Sequence, residues 1–400
     1  MKEYILDNNI DFVKGPKNMT IVNLNTGEVH CCDVQAYAVL DELKEKGCSE
    51  TRIEEDEFLA YLKEERILVK TEERSPVKYY KEPRINYAWI EITKNCQLKC
   101  VHCYNESSGC SGKSQMDFET FKIAVDRLAE YGIEHVQLIG GEPLVNKEIM
   151  HFLDYMSGKF KSIEVFTNGL LITDAFLDKC VEYGVKLAFS IYSDSPEVHE
   201  KITLVSGSHK KTVDAIEKAK ARGIACRTST IVMEMNERRH ECKMCDNHRR
   251  DYPRVTGNAD LSLYTEALLK KKLIHPDNFS LPVDFSTYMM RKEYNTCFGT
   301  KVYIDTDLDV YPCVMERRLT HGNIKNKSLE EIVQEDIKRL NKDRVDTCKD
   351  CEYRYLCHDC RPDSLHGDNT HAKPWHCPYD PYSGEWEDKD SFVAKLMGGV

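Results

Sequence analysis

The chain has 400 residues, of which 41% are hydrophobic and 31% charged, and its formal net charge is −11; its mean hydropathy is −0.54. That length calls for two or three domains, and the acidic balance argues against a general nucleic-acid or anionic-membrane surface. No apolar run approaches the roughly 18 residues a membrane helix needs, and no charged, apolar, small-residue leader opens the chain, so a soluble cytoplasmic protein is expected.

Residues 1–85 read as a small separate domain. Segments 19–24 and 29–32 have strand patterns joined by Asn25-Thr26-Gly27, which makes a hairpin. Asp33 is placed to cap a helix with Ala36, Val39, Leu40 and Leu43 at helical spacing, ending at Gly47, and an acidic helix follows over 54–65. Hairpin plus helices resembles the winged-helix peptide-recognition domain of many peptide-modifying enzymes, which implies a leader peptide added as a strand to an open sheet edge. A structural cap without a partner is the alternative. Cys31, Cys32 and Cys48 read as packing residues.

Ser75-Pro76 and Pro83 mark a linker, and over 86–258 strand and helix patterns alternate. Strands are expected at 87–93, 135–139, 163–166, 186–191 and 226–235, with a short sixth at 254–257. A helix over 116–131 would turn Ile123, Ala124, Leu128 and Ala129 inward, and a Lys/Ala-rich helix ends at Gly223. This alternation implies parallel strands with crossover helices. At the end of the first strand stand Cys96, Cys100 and Cys103, with three and then two residues between them. Three buried structural cysteines are one reading of them. A zinc site would prefer Cys-x2-Cys pairs and four protein ligands. Three thiolates on an iron–sulfur cube leave one iron open.

This stretch resembles the signature of the radical S-adenosylmethionine (SAM) enzymes, Cys-x3-Cys-x-aromatic-Cys after the first strand of a partial (β/α) barrel. His102 takes the aromatic position. The resemblance implies that the open iron chelates the amino and carboxylate groups of SAM. One electron then cleaves SAM to a 5′-deoxyadenosyl radical that abstracts hydrogen from substrate. In such barrels the chemistry lies at the C-terminal ends of the strands, where Gly140-Gly141-Glu142-Pro143 and Thr167-Asn168-Gly169 also fall. Gly140 and Gly141 let backbone approach a ligand closely, and Glu142 with nearby carbonyls suits an ammonium group. By resemblance, Gly140, Gly141, Glu142 and Pro143 hold the SAM amino group, and Asn168, Ser190 and Tyr104 join the cofactor contacts. Ser190 reads equally well as satisfying backbone at the barrel rim. Cys242 and Cys245, flanked by His240 and His248, look like a zinc set but read as a surface coincidence in a polar, helical segment.

Residues 259–296 bridge to a cysteine-rich region at 297–400. Its cysteines are Cys297, Cys313, Cys348, Cys351, Cys357, Cys360 and Cys377. Two Cys-x2-Cys pairs could hold one zinc, but that leaves Cys297, Cys313 and Cys377 unexplained. The segment resembles the SPASM extension of radical SAM enzymes, which carries two auxiliary [4Fe–4S] clusters. By position, Cys348, Cys351, Cys357 and Cys377 would hold the distal cluster, and Cys297, Cys313 and Cys360 the proximal one. Three departures stand out. Leu308 replaces the family's hairpin glycine, so Thr306-Asp307 should make that turn; the last cysteine pair is spaced by two residues where three is usual; and no cysteine precedes Cys297 as a fourth proximal ligand. A hairpin over 301–305 and 309–313, a helix over 328–341 and a tail over 379–386 covering the distal cluster complete the expectation.

The fold class so implied is α/β: a partial (β/α)6 radical SAM barrel between a winged-helix-like N-terminal domain and a C-terminal SPASM domain. The implied activity is an oxidoreductase that matures a ribosomally made peptide by an intramolecular cross-link, with a Cys thioether as the leading bond type. Another cross-link, epimerisation, or formylglycine formation of the anaerobic sulfatase-maturase kind are alternatives. A noncatalytic iron–sulfur electron carrier or peptide scaffold is an alternative of a different class. The implied cofactors are three [4Fe–4S] clusters and SAM. The implied partners are a leader-bearing precursor peptide and a reductant such as ferredoxin or flavodoxin, with no nucleic acid and no membrane. A reducing, anaerobic setting goes with them.

Overall fold

The computed structural model describes residues 3–107, 114–239, 244–364 and 369–398. The N-terminal region contains β1 (Tyr4–Leu6), β2 (Ile10–Lys14), β3 (Asn18–Asn23), β4 (Val29–Asp33), helices α1 (Ala36–Lys46), α2 (Glu50–Glu54) and α3 (Glu57–Glu64), and β5 (Leu68–Lys70). β2, β3 and β4 form an antiparallel sheet with β4 at one edge, and β1 pairs with β5. Their apolar faces close over Met19, Ile21, Leu40, Leu43, Leu59 and Leu62. Two local expectations change. Asp33 belongs to β4 and accepts from the Gln35 N–H at 2.8 Å, so it tightens the turn without capping α1. The acidic helix is split in two because Asp56 accepts from the Phe58 and Leu59 N–H groups and caps a new helix.

The linker does not leave this unit free. The Thr20 hydroxyl donates to the Glu352 carbonyl at 2.9 Å and Tyr288 Oη donates to Asp11 at 2.7 Å. Val13, Val22, Phe279, Tyr288 and Leu356 share one apolar cluster between the N-terminal sheet and the C-terminal region.

The central sheet follows from the alternation read in the sequence. Strands β6 (Tyr87–Thr93), β7 (His135–Gly140), β8 (Ser162–Thr167), β9 (Lys186–Ser190), β10 (Cys226–Ile231) and β11 (His248–Asp251) run parallel in that order. Helices α4 (Phe118–Tyr131), α5 (Ile149–Met156), α6 (Asp174–Tyr183), α7 (Pro196–Thr203) and α8 (Ser208–Ala221) lie in the connections as far as β10. α4 is capped by Asp117, and it buries Phe121, Ala124, Val125 and Leu128, with Ile123 and Ala129 only half-buried. Phe121 stacks on Phe152 of α5 with ring centroids 4.0 Å apart. Between the strands, the Trp89 indole donates to Gln137 at 2.9 Å, Gln137 donates to Glu164, and Arg227 forks onto both Glu164 oxygens at 2.9 and 2.8 Å.

The sixth strand is β11, not 254–257, and β10 stops at Ile231 because a turn over Glu234–Asn236 begins three residues later, with Asn236 accepting from the Met233 N–H. Beyond β6 the same sheet continues through β12 (Lys301–Ile304), β13 (Asp309–Tyr311) and β14 (Gly322–Asn323), β12 lying parallel to β6. Leu308 itself takes the left-handed conformation at φ 68° while only 2% exposed, and its N–H bonds the Asp305 carbonyl. The hairpin turn thus runs through Leu308 and is not confined to Thr306-Asp307. The helix expected over 328–341 is two short ones, Leu329–Ile332 and Glu335–Lys338, interrupted where the Gln334 N–H bonds His321 Nδ1. Among the described residues no helix is long and apolar enough to cross a membrane.

Candidate metal and cofactor site

The cysteine triad leaves β6 on a loop that is pinned from three sides. The Lys99 and Val101 N–H groups bond the carbonyls of Thr203 and Ile202 at the end of α7, and the Asn258 N–H bonds the Cys103 carbonyl. Gly257, at φ 64°, lies so close that a Cβ there would stand 2.4 Å from the Cys103 oxygen. That contact explains why 254–257 is a turn clasping the triad and not a strand.

From the β7 side, the Gly141 and Glu142 N–H groups bond the Thr93 and Asn95 carbonyls at 2.8 Å each. A Cβ on Gly140 or Gly141 would come within 2.3 Å of those same oxygens. The glycines are therefore required by the cysteine loop itself, a closer demand than approach to a ligand. The Glu142 carboxylate, 1% exposed, accepts from the Thr167 hydroxyl (2.7 Å) and from the Asn168 (2.7 Å) and Leu144 (3.1 Å) N–H groups. It brackets the ends of β7 and β8, and burial pushes its pKa up to about 7. Pro143 is buried as the first residue of a short 3-10 turn.

What remains is a cavity of about 110 Å³ lined by the three cysteines with Gly140, Gly141, Asn168, Ser190, Tyr104 and Tyr192. Asn168 Nδ2 lies 3.8 Å from Cys96 Sγ, and Gln97 donates to Asn168 Oδ1 at 3.0 Å. Ser190 and Cys100 both hydrogen-bond the Tyr192 side chain. Tyr192 was not singled out from the sequence; its place directly after β9, at the C-terminal end of the barrel, was the available signal. His102 packs edge-on to the Tyr192 ring with centroids 4.7 Å apart, and burial lowers its pKa to about 4, so it serves as a neutral aromatic. Of the predicted residues, Glu142 and Pro143 are not on the cavity wall.

Tyr104 and Asn105 form a partition, because they also line a second cleft of about 570 Å³ with Thr256, Met315, Arg317 and Ser364. Arg317 donates to Asn105 at 2.7 Å and lies 3.7 Å from Glu91, a buried carboxylate that also accepts from Tyr303 Oη at 2.7 Å. Burial raises the Glu91 pKa.

The C-terminal cysteines gather in two groups. Cys348, Cys351, Cys357 and Cys377 line one cavity with Lys342, Tyr353, Tyr379 and Trp386. Tyr379 and Trp386 come from the short hairpin β15 (Tyr379–Asp380) and β16 (Glu385–Trp386). Cys313 is within electrostatic reach of both Cys297 and Cys360, and Arg254 hydrogen-bonds Cys360. Cys242 lies outside the described residues, and Cys245 is buried in the barrel core.

These cysteines suit iron–sulfur clusters better than single zinc ions. Tetrahedral zinc with bonds of about 2.3 Å holds its sulfurs about 3.8 Å apart. Among the described residues, the one set of three or more His, Cys, Asp or Glu with ligand atoms all within 4.8 Å of one another is Glu28, His30 and Glu65. Among the described residues no cysteine group is drawn to single-ion spacing. Burial pushes Cys100 and Cys360 up to about 12 and Cys313 to about 11, so bound metal is what would keep them ionised.

Comparison with known proteins agrees. Residues 90–241 match the radical SAM superfamily model, and residues 297–361 match SPASM, an iron–sulfur cluster-binding domain. The antilisterial bacteriocin subtilosin biosynthesis protein AlbA of Bacillus subtilis (strain 168) is 35% identical over 152 residues, which are 38% of this chain and 34% of AlbA. An AdoMet-dependent heme synthase of Methanosarcina barkeri is 28% identical over 38% of this chain and 44% of its own. The chain thus spans between a third and half of the length of these curated relatives. Streptococcus suis SuiB bound to precursor peptide SuiA superposes with a TM-score of 0.59 at 13% identity, covering 93% of this chain and 98% of that one. Native anSMEcpe with bound AdoMet gives 0.55 at 17% identity over 78% and 98%. These likenesses show a common fold. Residues 90–241 are thus a radical SAM domain and residues 297–361 a SPASM iron–sulfur cluster-binding domain.

Proposed function

We propose that this protein is a maturase of a ribosomally synthesised peptide, acting in the cytoplasm on a leader-bearing precursor and forming an intramolecular cross-link, a Cys thioether first among the bond types. The observation that carries this reading is the partition: the small triad cavity and the large cleft share Tyr104 and Asn105, so a group activated in one lies beside a chain laid in the other. When bound, the cluster and SAM supply a 5′-deoxyadenosyl radical that takes hydrogen from carbon.

The chain's own residues would do the rest. Cys96, Cys100 and Cys103 hold the first cluster; the backbone of Gly140 and Gly141, with Asn168, Ser190, Tyr192 and Tyr104, holds SAM, while Glu142 and Pro143 fix that wall. Cys348, Cys351, Cys357 and Cys377 hold a second cluster and Cys297, Cys313 and Cys360 a third, three in all. Residues 1–85, 86–258, 259–296 and 297–400 would be the recognition domain, barrel, bridge and SPASM domain. The edge strand β4 would take the leader as an added strand, in keeping with the precursor peptide bound to SuiB. A ferredoxin or flavodoxin is the expected reductant.

The test is anaerobic incubation of the reconstituted protein with dithionite, SAM and the precursor encoded beside it. A cross-link lowers peptide mass by two hydrogens per link, with about one 5′-deoxyadenosine formed for each. Unchanged mass with deuterium incorporated at Cα would mean epimerisation instead. No 5′-deoxyadenosine at all would leave an electron carrier or scaffold.

A further inference from the structure

Beside the four cysteines of the second cluster lies a group of buried charges with no part in the chemistry above. Lys342, only 2% exposed, begins a short turn capped by Asn341. Its ammonium stands 3.0 Å from Asp359 Oδ1 and 4.0 Å from Cys348 Sγ, on the wall of the cavity that Cys348, Cys351, Cys357 and Cys377 line. Asp359 is shared with Arg361, which is fully buried and reaches both of its oxygens, Nε at 2.7 Å. Asn295 donates to the same carboxylate at 2.9 Å.

Two buried cations on one carboxylate leave a positive remainder. The other charges facing these sulfurs do not cancel it. Arg291 acts on Cys357 and Lys373 on Cys377, both cations, while buried Glu352 beside Cys351 is the opposing carboxylate. Arg354 is paired with Asp343. A buried ammonium is costly unless an anion faces it, and a methionine would fill the same space without that cost. The anion on the open side is the four-thiolate group.

We propose that Lys342 sets the reduction potential of an iron–sulfur cluster held by Cys348, Cys351, Cys357 and Cys377, its buried charge favouring the form that carries one more electron. This rests on the assignment of those cysteines as cluster ligands. The couple is [4Fe–4S]2+ plus one electron giving [4Fe–4S]+, with no bond made or broken and no proton moved. A fixed cation in contact with a ligand sulfur stabilises the more negative member, and low dielectric surroundings strengthen the effect. Lys342 is thus a positioning residue for an electron, and makes this cluster an acceptor for the electron released as a cross-link closes.

The test is an EPR-monitored redox titration of the reconstituted full-length protein. In Lys342→Met one midpoint should fall by at least a tenfold loss of electron affinity, which is about 59 mV for a one-electron couple, while the others hold. Lys342→Arg should restore it. Asp359→Asn, which removes the opposing charge, should move the same midpoint up. Unmoved midpoints in fully loaded variants overturn the proposal, as do shifts of the same sign in Lys342→Met and Asp359→Asn. If Lys342→Met loses about four irons, Asp359→Asn carries the test. Loss of that cluster in both variants assigns the pair to folding and also overturns the proposal. A wild-type protein that takes up no iron in this domain would refute the ligand assignment itself.

Discussion

Replacing Gly141 by alanine separates two reasons a glycine can be needed. Its added methyl would stand 2.3 Å from the Asn95 oxygen and 2.9 Å from Cys96 Cβ, against ordinary contact at 3.4 Å or more. The cysteine loop must retreat by about 1 Å, and that overpacking costs about 1–3 kcal/mol. The retreat also lengthens the 2.8 Å bond from the Glu142 N–H to Asn95, worth about 1 kcal/mol. A total of about 2–4 kcal/mol is expected, concentrated where the triad must converge. Gly184 is the control: its φ of 64° demands glycine, but nothing lies within 4 Å of the added carbon. Gly184→Ala should cost about 1 kcal/mol and leave loading intact. Melting curves and iron content after anaerobic reconstitution measure both. Gly141→Ala should fall short by about four irons and form no 5′-deoxyadenosine. Full iron and normal SAM cleavage in Gly141→Ala would refute the claim that these glycines seat the cysteine loop.

Three other outcomes are expected. At Leu308 the left-handed backbone and the buried side chain oppose each other, so Leu308→Gly should be less destabilising than Leu308→Ala by about 1 kcal/mol, an inversion of the usual order visible in urea midpoints. Arg227→Met should cost about 1.5–3 kcal/mol by leaving half-buried Glu164 without its cation, and adding Glu164→Leu should recover part of that loss in a double-mutant cycle. Glu142 titrates near 7 in the folded protein, above its value in an unfolded chain, because burial disfavours its charge. Its contribution is therefore full below about pH 4.5 and is lost as pH rises through 7, by about 3 kcal/mol. The stability difference between wild type and Glu142→Gln, followed by denaturation from pH 5 to 8, should shrink accordingly; a difference independent of pH would contradict the buried, ionisable bracket.

The features legible in the sequence were those carried by short-range pattern. Strand-then-cysteine and strand-then-glycine junctions marked the C-terminal end of the barrel, because a parallel strand buried on both faces is a continuous apolar run with its chemistry at the tip. The sixth strand was misplaced for the opposite reason. His248–Asp251 is polar and mostly exposed at a sheet edge, so no apolar run announces it, whereas Arg254-Val255-Thr256-Gly257 looks β-like and is a clasp. Glu142 read as a ligand for an ammonium group; two of its three donors, Thr167 and Asn168, lie at the end of β8, a pairing that only tertiary contact brings about. Tyr192 and Lys342 went unremarked because a tyrosine after a strand and a lysine before a turn are common; burial distinguishes them, and burial of a lone polar residue leaves no trace in periodicity.

One sheet runs without interruption from the barrel into the cysteine-rich region, with β12 bonded directly to β6. Cys96 follows the far end of β6, whereas Cys297 precedes the near end of β12 and Cys313 follows the strand that returns to it. The separation of these two cysteine loops is thus measured out in strand residues, roughly 3.3 Å apiece. Lattice-like pairing of this kind leaves little room for one loop to swing toward the other. For clusters seated as proposed, control over electron traffic between them would come from energy levels, since the gap itself is ruled by backbone.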